Sequence, residues 1–453
     1  MTEQIAIARK RDDGEWPNPL YGWYVVGVLM LAYTNSFIDR QILSLLIQPI
    51  REDLQISDTQ VSLLAGIAFS LFYTLLGVPI ARLADQHNRK RIILTGLAVW
   101  SVMTAACGLA KNFWHLFSAR IGVGVGEATL SPAAFSIIAD YFPKHQLARA
   151  FSVYSMGVYL GAGLAMVIGG AVLHLVLESG AVEFPILGVV KPWQMTFFWV
   201  GLLGLPIFLL LLTVREPLRR GMVEATVAEA RDASSTAALT TFLHNNVQTV
   251  SYHFLAFSLI GIAITGFMVW TPTLFIRTWG WEAGDIGLAY GTIMLIFGTA
   301  GVYSGGHLAD RLERHGYRDA ILRAASLAAF LALPFATATP LMPSAELALI
   351  GLALTSYFMA IPQGLPAAAL QVITPNPLRA QMTALYFLVG NMVALGLGPT
   401  LMALVTDFVF EDPQKLRYSM AVVSATVLPL GGIMGFLALK PFRESRRRAD
   451  LES

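Results

Sequence analysis

Charge is scarce in this chain. Only 13% of its 453 residues are Asp, Glu, Lys or Arg, against about 25% in soluble domains. With 55% of the residues hydrophobic, a soluble globular protein and a nucleic-acid-binding module are both excluded. Cysteine is almost absent: Cys107 stands alone, so there is no internal disulfide and no cysteine-based metal cluster. His87, His145, His307 and His315 lie in or near polar loops without metal-ligand spacing, and neither a metal nor a cofactor is expected. No P-loop occurs, which argues against nucleotide hydrolysis. The apolar runs hold no nucleophile–base pair or metal triad, so an enzyme is not expected. The first twenty residues lack a short apolar segment, so no cleaved signal peptide is expected and the first span would direct insertion.

What the chain has instead is long apolar runs. A helix needs ~20 residues to cross a bilayer, and runs of that order fall at 22–47, 59–83, 92–110, 113–141, 149–176 and 194–214. Six more fall at 248–276, 284–309, 320–339, 346–373, 380–407 and 417–439. The reading is an all-α membrane protein of twelve transmembrane helices in two pseudo-symmetric six-helix halves. It divides as a tail 1–21, a first half 22–214, a polar linker 215–247, a second half 248–440 and a tail 441–453. With both termini placed in the cytoplasm, 23 of the 31 Lys and Arg residues are cytoplasmic, six are external and two lie in the membrane. That bias is a strong positive-inside signal. Leu83-Ala84-Asp85 after span 2 recurs as Leu308-Ala309-Asp310 after span 8, and Ser131-Pro132-Ala133-Ala134 resembles Leu365-Pro366-Ala367-Ala368. Such pairs imply a parallel duplication about an axis along the membrane normal.

Four charges interrupt the first half. Asp39-Arg40 stands in span 1, and Arg120-Ile-Gly-Val-Gly-Val-Gly-Glu127 in span 4. Each charge at mid-membrane costs at least ~2.5–3.5 kcal/mol and marks a functional site by default. Arg120 and Glu127 are two turns apart on one face, with ~10 Å of rise between them. The glycines bare that face for a neighbouring helix or a ligand. Asp39 and Arg40, adjacent in a helix, must look to different neighbours. The economical arrangement pairs Asp39 with Arg120 and turns Arg40 towards Glu127 or a cavity.

The loop from Ala81 to Arg91, with Leu83-Ala84-Asp85 and Arg89-Lys90-Arg91, resembles the loop 2–3 signature of the major facilitator superfamily, from which Ala81, Gln86 and Asn88 depart. Gly306-His-Leu-Ala-Asp310-Arg311 matches its first part better, and Arg120 with Gly124 resembles the superfamily's span 4 motif. Asp39-Arg40 together with the Arg120–Glu127 stretch and Ala139-Asp140-x-Phe142-Pro143 resembles the Spinster family, whose members move sphingolipids and lysophospholipids; a bacterial homologue is suggested. The resemblance implies gating contacts at the cytoplasmic face. Asp85 would meet the start of span 11 near Arg379, and Asp310 the start of span 5 near Arg149, with Arg89 and Arg311 beside them.

The resemblance and the charges together imply a secondary transporter of an amphipathic lipid-like anion, working by alternating access and driven by protons. Glu127 and Asp39 would carry the proton, because burial and a neighbouring arginine act on a carboxyl in opposite senses. Arg40 and Arg120 would meet the anionic head. The second half lacks matching charges, so apolar walls are expected from Tyr33, Phe37, Tyr154 and Tyr159 on one side. On the other would stand Phe267, Trp270, Phe358, Tyr386 and Met392. Pro362, Gly364 and Pro366 should kink span 10. The alternatives are a transporter of small organic anions or drugs, and a lipid sensor; the short polar segments leave little room for a sensor's output domain. The expected setting is a monomer in a lipid bilayer, the bacterial inner membrane.

Overall fold

A computed structural model describes residues 18–179, 182–184, 188–219, 238–375 and 378–452. The tail before residue 18 and linker residues 220–237 lie outside the described residues. Span 1 is Pro19–Leu45, followed by a short helix Ile47–Leu54. Span 2 runs as Asp58–Ala65 and Ile67–Gln86, span 3 as Arg89–Cys107, and span 4 as Phe113–Glu127 and Leu130–Tyr141. Span 5 is Lys144–Ser179, and span 6 runs as Pro192–Leu202 and Gly204–Thr213. Span 7 is Val247–Trp279, span 8 runs from Ala283 to Arg314 through a π-turn at Met294–Gly298, and span 9 is Ala320–Ala338. Span 10 runs as Ala345–Ala360 and Leu365–Ile373, span 11 is Arg379–Leu404, and span 12 is Leu416–Glu452. Eleven of these are long and apolar enough to cross a membrane. Span 1 falls short of that measure because Asn35, Asp39, Arg40 and Gln41 interrupt it.

Local chemistry sets the ends. Asn88 and Asn112 cap spans 3 and 4 by accepting from the backbone N–H groups of Arg91 and His115. Ser57 and Gln60 form a capping box at the start of span 2, and such caps satisfy donors that the first turn leaves open. The expected kink in span 10 is a full break: residues 361–364 form a turn, and Gly364 sits at φ 82°, a conformation glycine adopts without strain. Two features depart from the expected layout. A small hairpin, Val182–Phe184 with Gly188–Val190, joins spans 5 and 6. Residues 441–453 were expected to form a tail, but span 12 stays helical to Glu452 because Arg443, Arg446 and Arg448 bond to Asp319, Glu313 and Asn246.

Each half carries a charged clamp at the end of the molecule where span 1 begins and span 12 ends. In the first half the buried Arg89 pairs with Asp140 of span 4 and, at 2.7 Å, with Glu216 after span 6. In the second, buried Asp319 before span 9 takes Arg323 and, from span 12, Arg443 at 3.0 Å each. The two clamps occupy equivalent places with opposite sign.

The halves meet unevenly. Span 5 packs on spans 1 and 8, span 2 on span 11, and span 1 on span 7. At the end away from the termini one apolar core joins both halves, with Ile42, Met166, Trp270, Tyr290 and Met402 in a single cluster. Towards the termini the core divides in two, one cluster from the first half alone and one from the second. A buried clasp reinforces the joined end. Arg277 of span 7 donates to both carboxylate oxygens of Asp58 at 2.6 and 2.7 Å, and also reaches Gln48 and the Pro413 carbonyl. The Thr59 N–H donates to Asp407 at 2.7 Å. The molecule is therefore shut at one end and divided at the other.

Candidate functional site

The four membrane charges converge between spans 1, 2 and 4. The glycines of span 4 make this possible by admitting helices rather than a ligand. A Cβ on Gly124 would lie 2.7 Å from the Phe69 carbonyl oxygen of span 2, and one on Gly126 would lie 2.7 Å from the Trp100 nitrogen of span 3. With those backbones drawn in, Glu127 ends the first segment of span 4 fully enclosed. Span 5 meets span 1 in the same way, Gly161 facing Phe37 and Thr34.

Arg40 reaches Glu127, its Nε donating to Oε2 at 2.6 Å. Its guanidinium is also flanked by three rings, Phe69 at 4.6 Å and Phe37 and Tyr73 at 4.8 Å each. The Arg40 side chain keeps 15% of its surface while Glu127 keeps none, so Arg40 is the face that the pair presents. Rings about a cation replace part of its lost hydration.

The second expected pairing is different. Arg120 does not reach the Asp39 carboxylate; its Nη1 donates to the Asp39 backbone carbonyl at 3.1 Å and its Nε to the Leu64 carbonyl at 3.3 Å. The Asp39 carboxylate accepts instead from Asn35, one turn earlier, at 3.1 Å. Span 2 comes so close that its carbonyl competes for the guanidinium. Asp39, Arg120 and Glu127 are all buried to within 1%.

The aromatic residues named from the sequence divide. Tyr33 stacks on Tyr154 at 4.8 Å and meets Phe37 edge-on at 5.4 Å, so these three stand beside the charges. In the second half the expected single wall is dispersed. Trp270 is fully buried and donates to the Pro399 carbonyl at 2.9 Å, and Phe267 joins it in the shared core. Phe358 stacks on Phe335 of span 9. Tyr386 packs against His253 and Phe254 of span 7, and Met392 is exposed. Phe69 and Tyr73 were missed in the sequence, although their spacing of one turn on span 2 was a readable signal.

Among the expected gating residues, Arg89 is held inside the first half by its clamp. Asp310 and Arg311 are exposed, and neither forms an ion pair among the described residues. Pro362 and Pro366 are buried beside the turn at Gly364. The side chains of Asp85, Arg149, Arg379 and Tyr159 lie outside the described residues.

Twelve spans in two duplicated halves, divided at one end and closed over buried charges, decide the family once the sequence is compared with known proteins. Residues 29–399 match the Major Facilitator Superfamily. The chain belongs to that superfamily. It is 27% identical over 95% of its length to an MFS-type efflux pump of Mycolicibacterium smegmatis, covering 96% of that protein. It is 26% identical to Protein spinster homolog 1 of Xenopus tropicalis, covering 96% of this chain and 84% of that protein. The crystal structure of a bacterial homologue to the human lysosomal transporter Spinster, inward-facing and occupied, superposes with a TM-score of 0.75. That match has 25% identity and covers 95% of this chain and 98% of the other. The protein is thus a multi-pass major facilitator transporter of Spinster-like sequence and fold.

Proposed function

We propose that this transporter moves an amphipathic lipid-like anion, of the sphingolipid phosphate or lysophospholipid class, by alternating access coupled to protons. The observation that carries this reading is the Arg40–Glu127 pair, bonded at 2.6 Å with the arginine caged by Phe37, Phe69 and Tyr73. Protonating Glu127 removes the charge that holds Arg40. The freed guanidinium, the partly exposed member of the pair, then takes an anionic head in the forked geometry that suits phosphate and carboxylate. The neighbouring rings give the adjoining apolar chain a surface to lie on. Loss of the proton restores the pair and expels the head, which couples the two fluxes. The resemblance to the Spinster family supports the lipid class, and the positive-inside charge bias supports cytoplasmic termini. With that orientation the divided core faces the cytoplasm, an inward-facing state.

The test is uptake into proteoliposomes of a lysophospholipid and of a small organic anion, each with and without a pH gradient. Accumulation of the lysophospholipid that collapses with the gradient is the expected result. Uptake of the small anion alone would overturn the substrate class, and uptake indifferent to the gradient would overturn the coupling.

A further inference from the structure

Between spans 1, 3 and 4 several enclosed polar atoms have no hydrogen-bond partner. They are Asp39 Oδ1, Asn35 Oδ1, Thr104 Oγ1, Arg120 Nη2 and Glu127 Oε1. Each of their residues keeps 2% or less of its surface. Buried polar groups are almost always bonded, and an unbonded one costs about 1–3 kcal/mol. Here the orphans are of both kinds: an arginine N–H donates, carboxylate and amide oxygens accept, and a hydroxyl does either. Water, which both donates and accepts, satisfies such a mixed set.

Thr104 is the informative member. A threonine hydroxyl in a helix commonly donates to the carbonyl four residues back, as those of Thr196, Thr265, Thr400 and Thr406 do. That of Thr104 does not. It lies beside the Asp39 carboxyl. The charged groups near Asp39 are Arg40 of its own span and Arg120 and Glu127 of span 4. Cys107, one turn along from Thr104, lies near Asp39 and Arg120, and Tyr33 and Tyr73 lie near Arg40. Two guanidinium groups offset two carboxylates, so the compartment has no spare negative charge for a metal cation.

We propose that Thr104 and Asn35 hold ordered water between Asp39 and Glu127, making the interface of spans 1, 3 and 4 a proton relay with Thr104 as a positioning residue. This rests on the reading of Glu127 and Asp39 as proton carriers. In the relay a proton leaves the Glu127 carboxyl for the water, and the water gives one to the Asp39 carboxylate. The water is unchanged and the net charge of the compartment is constant. Arg120 Nη2 donates to the water and so fixes which way its own protons point. The part of span 3 around Thr104, outside the set of motif residues, becomes part of the coupling machinery.

The test compares Thr104→Val, close in shape without the hydroxyl, with Thr104→Ser, which restores it. Wild type and Glu127→Gln are measured alongside, in proteoliposomes with a lysophospholipid as probe. Thr104→Val should keep exchange of the probe down its own gradient. Its accumulation under a pH gradient should fall about tenfold, the weight of one hydrogen bond to a charged group, and its pH profile should shift. Thr104→Ser should recover both. Asn35→Leu should show the same split from the other side of the water, which keeps the test open if Thr104→Val does not fold. Unchanged accumulation and pH profile in Thr104→Val, or a Thr104→Ser as defective as Thr104→Val, would overturn the relay. If Glu127→Gln fails to accumulate while Thr104→Val and Asn35→Leu succeed, the relay alone falls. If Glu127→Gln accumulates like wild type, the parent reading falls and the relay with it.

Discussion

The guanidinium of Arg40 meets one carboxylate oxygen and three rings, whereas that of Arg120 meets two backbone carbonyls. The two arginines should therefore fail differently. Arg40→Ala should abolish binding of an anionic lipid, and it leaves the enclosed Glu127 carboxyl without its ion-pair partner, a loss that protonation of Glu127 at low pH relieves. Arg120→Ala leaves the Asp39 and Leu64 carbonyls without their buried donor and takes the cation from beside two carboxyls. Removing one partner of a buried charge set costs about 3–5 kcal/mol, so both variants should unfold below wild type, and at low pH, where the Glu127 charge is gone, Arg120→Ala should unfold clearly below Arg40→Ala. Equal unfolding temperatures at low pH would contradict this division. Glu127→Gln imitates the protonated carboxyl: binding and downhill exchange should persist while accumulation against a gradient fails. A transport assay showing full accumulation with unchanged pH dependence would leave Glu127 a packing residue.

At the scale of elements, the clasp between the two halves rests on Asp58 at the start of span 2 and Arg277 near the end of span 7. In the proposed cycle, outward opening has to pull them apart. Asp58→Asn removes one charge of a buried bidentate pair, worth about 3–5 kcal/mol to the closed end. Spin labels on the exposed Glu52 and Glu282 should then report a longer-distance population. An unchanged distance distribution would show that the apolar core alone keeps this end shut. The glycine face of span 4 is tested by Gly126→Val, which sets new atoms within 2.7 Å of the Trp100 nitrogen. Overpacking of this kind costs about 1–3 kcal/mol, visible as a lowered unfolding temperature even where transport survives.

For the whole molecule, the decisive arrangement is one core at the joined end and two at the other. In the proposed alternating-access cycle this asymmetry reverses, so both clamps, each inside its own half, should stay intact as the halves rock. Orientation is testable because Cys107, the one native cysteine, is buried. A cysteine at Leu451, which is 79% exposed, should be labelled only from the cytoplasmic side of oriented membranes. One at the exposed Gln414 should be labelled only from the other side. Labelling of position 451 from outside would reverse the topology.

The sequence by itself determined the twelve spans, the duplication and the four membrane charges. Each is a local or repeating property: apolar runs of bilayer length, a recurring Leu-Ala-Asp, and charges standing where charge is expensive. It also determined that Asp39 and Arg40 point to different neighbours, since adjacent positions on a helix diverge. Which arginine serves which carboxyl was decided by tertiary structure. Arg40 and Arg120 stand at similar depth, and only the rotation and approach of spans 2 and 4 over the glycines put one on Glu127 and the other on backbone carbonyls. The clasp of Asp58 and Arg277 was invisible for the same reason: each reads as an ordinary loop charge, and 219 residues separate them. Trp270 read as a cavity wall, but the carbonyl that Pro399 offers across span 11 turned it into packing. Pairings across the bundle depend on helix rotation and distance, and no local pattern in the chain encodes those.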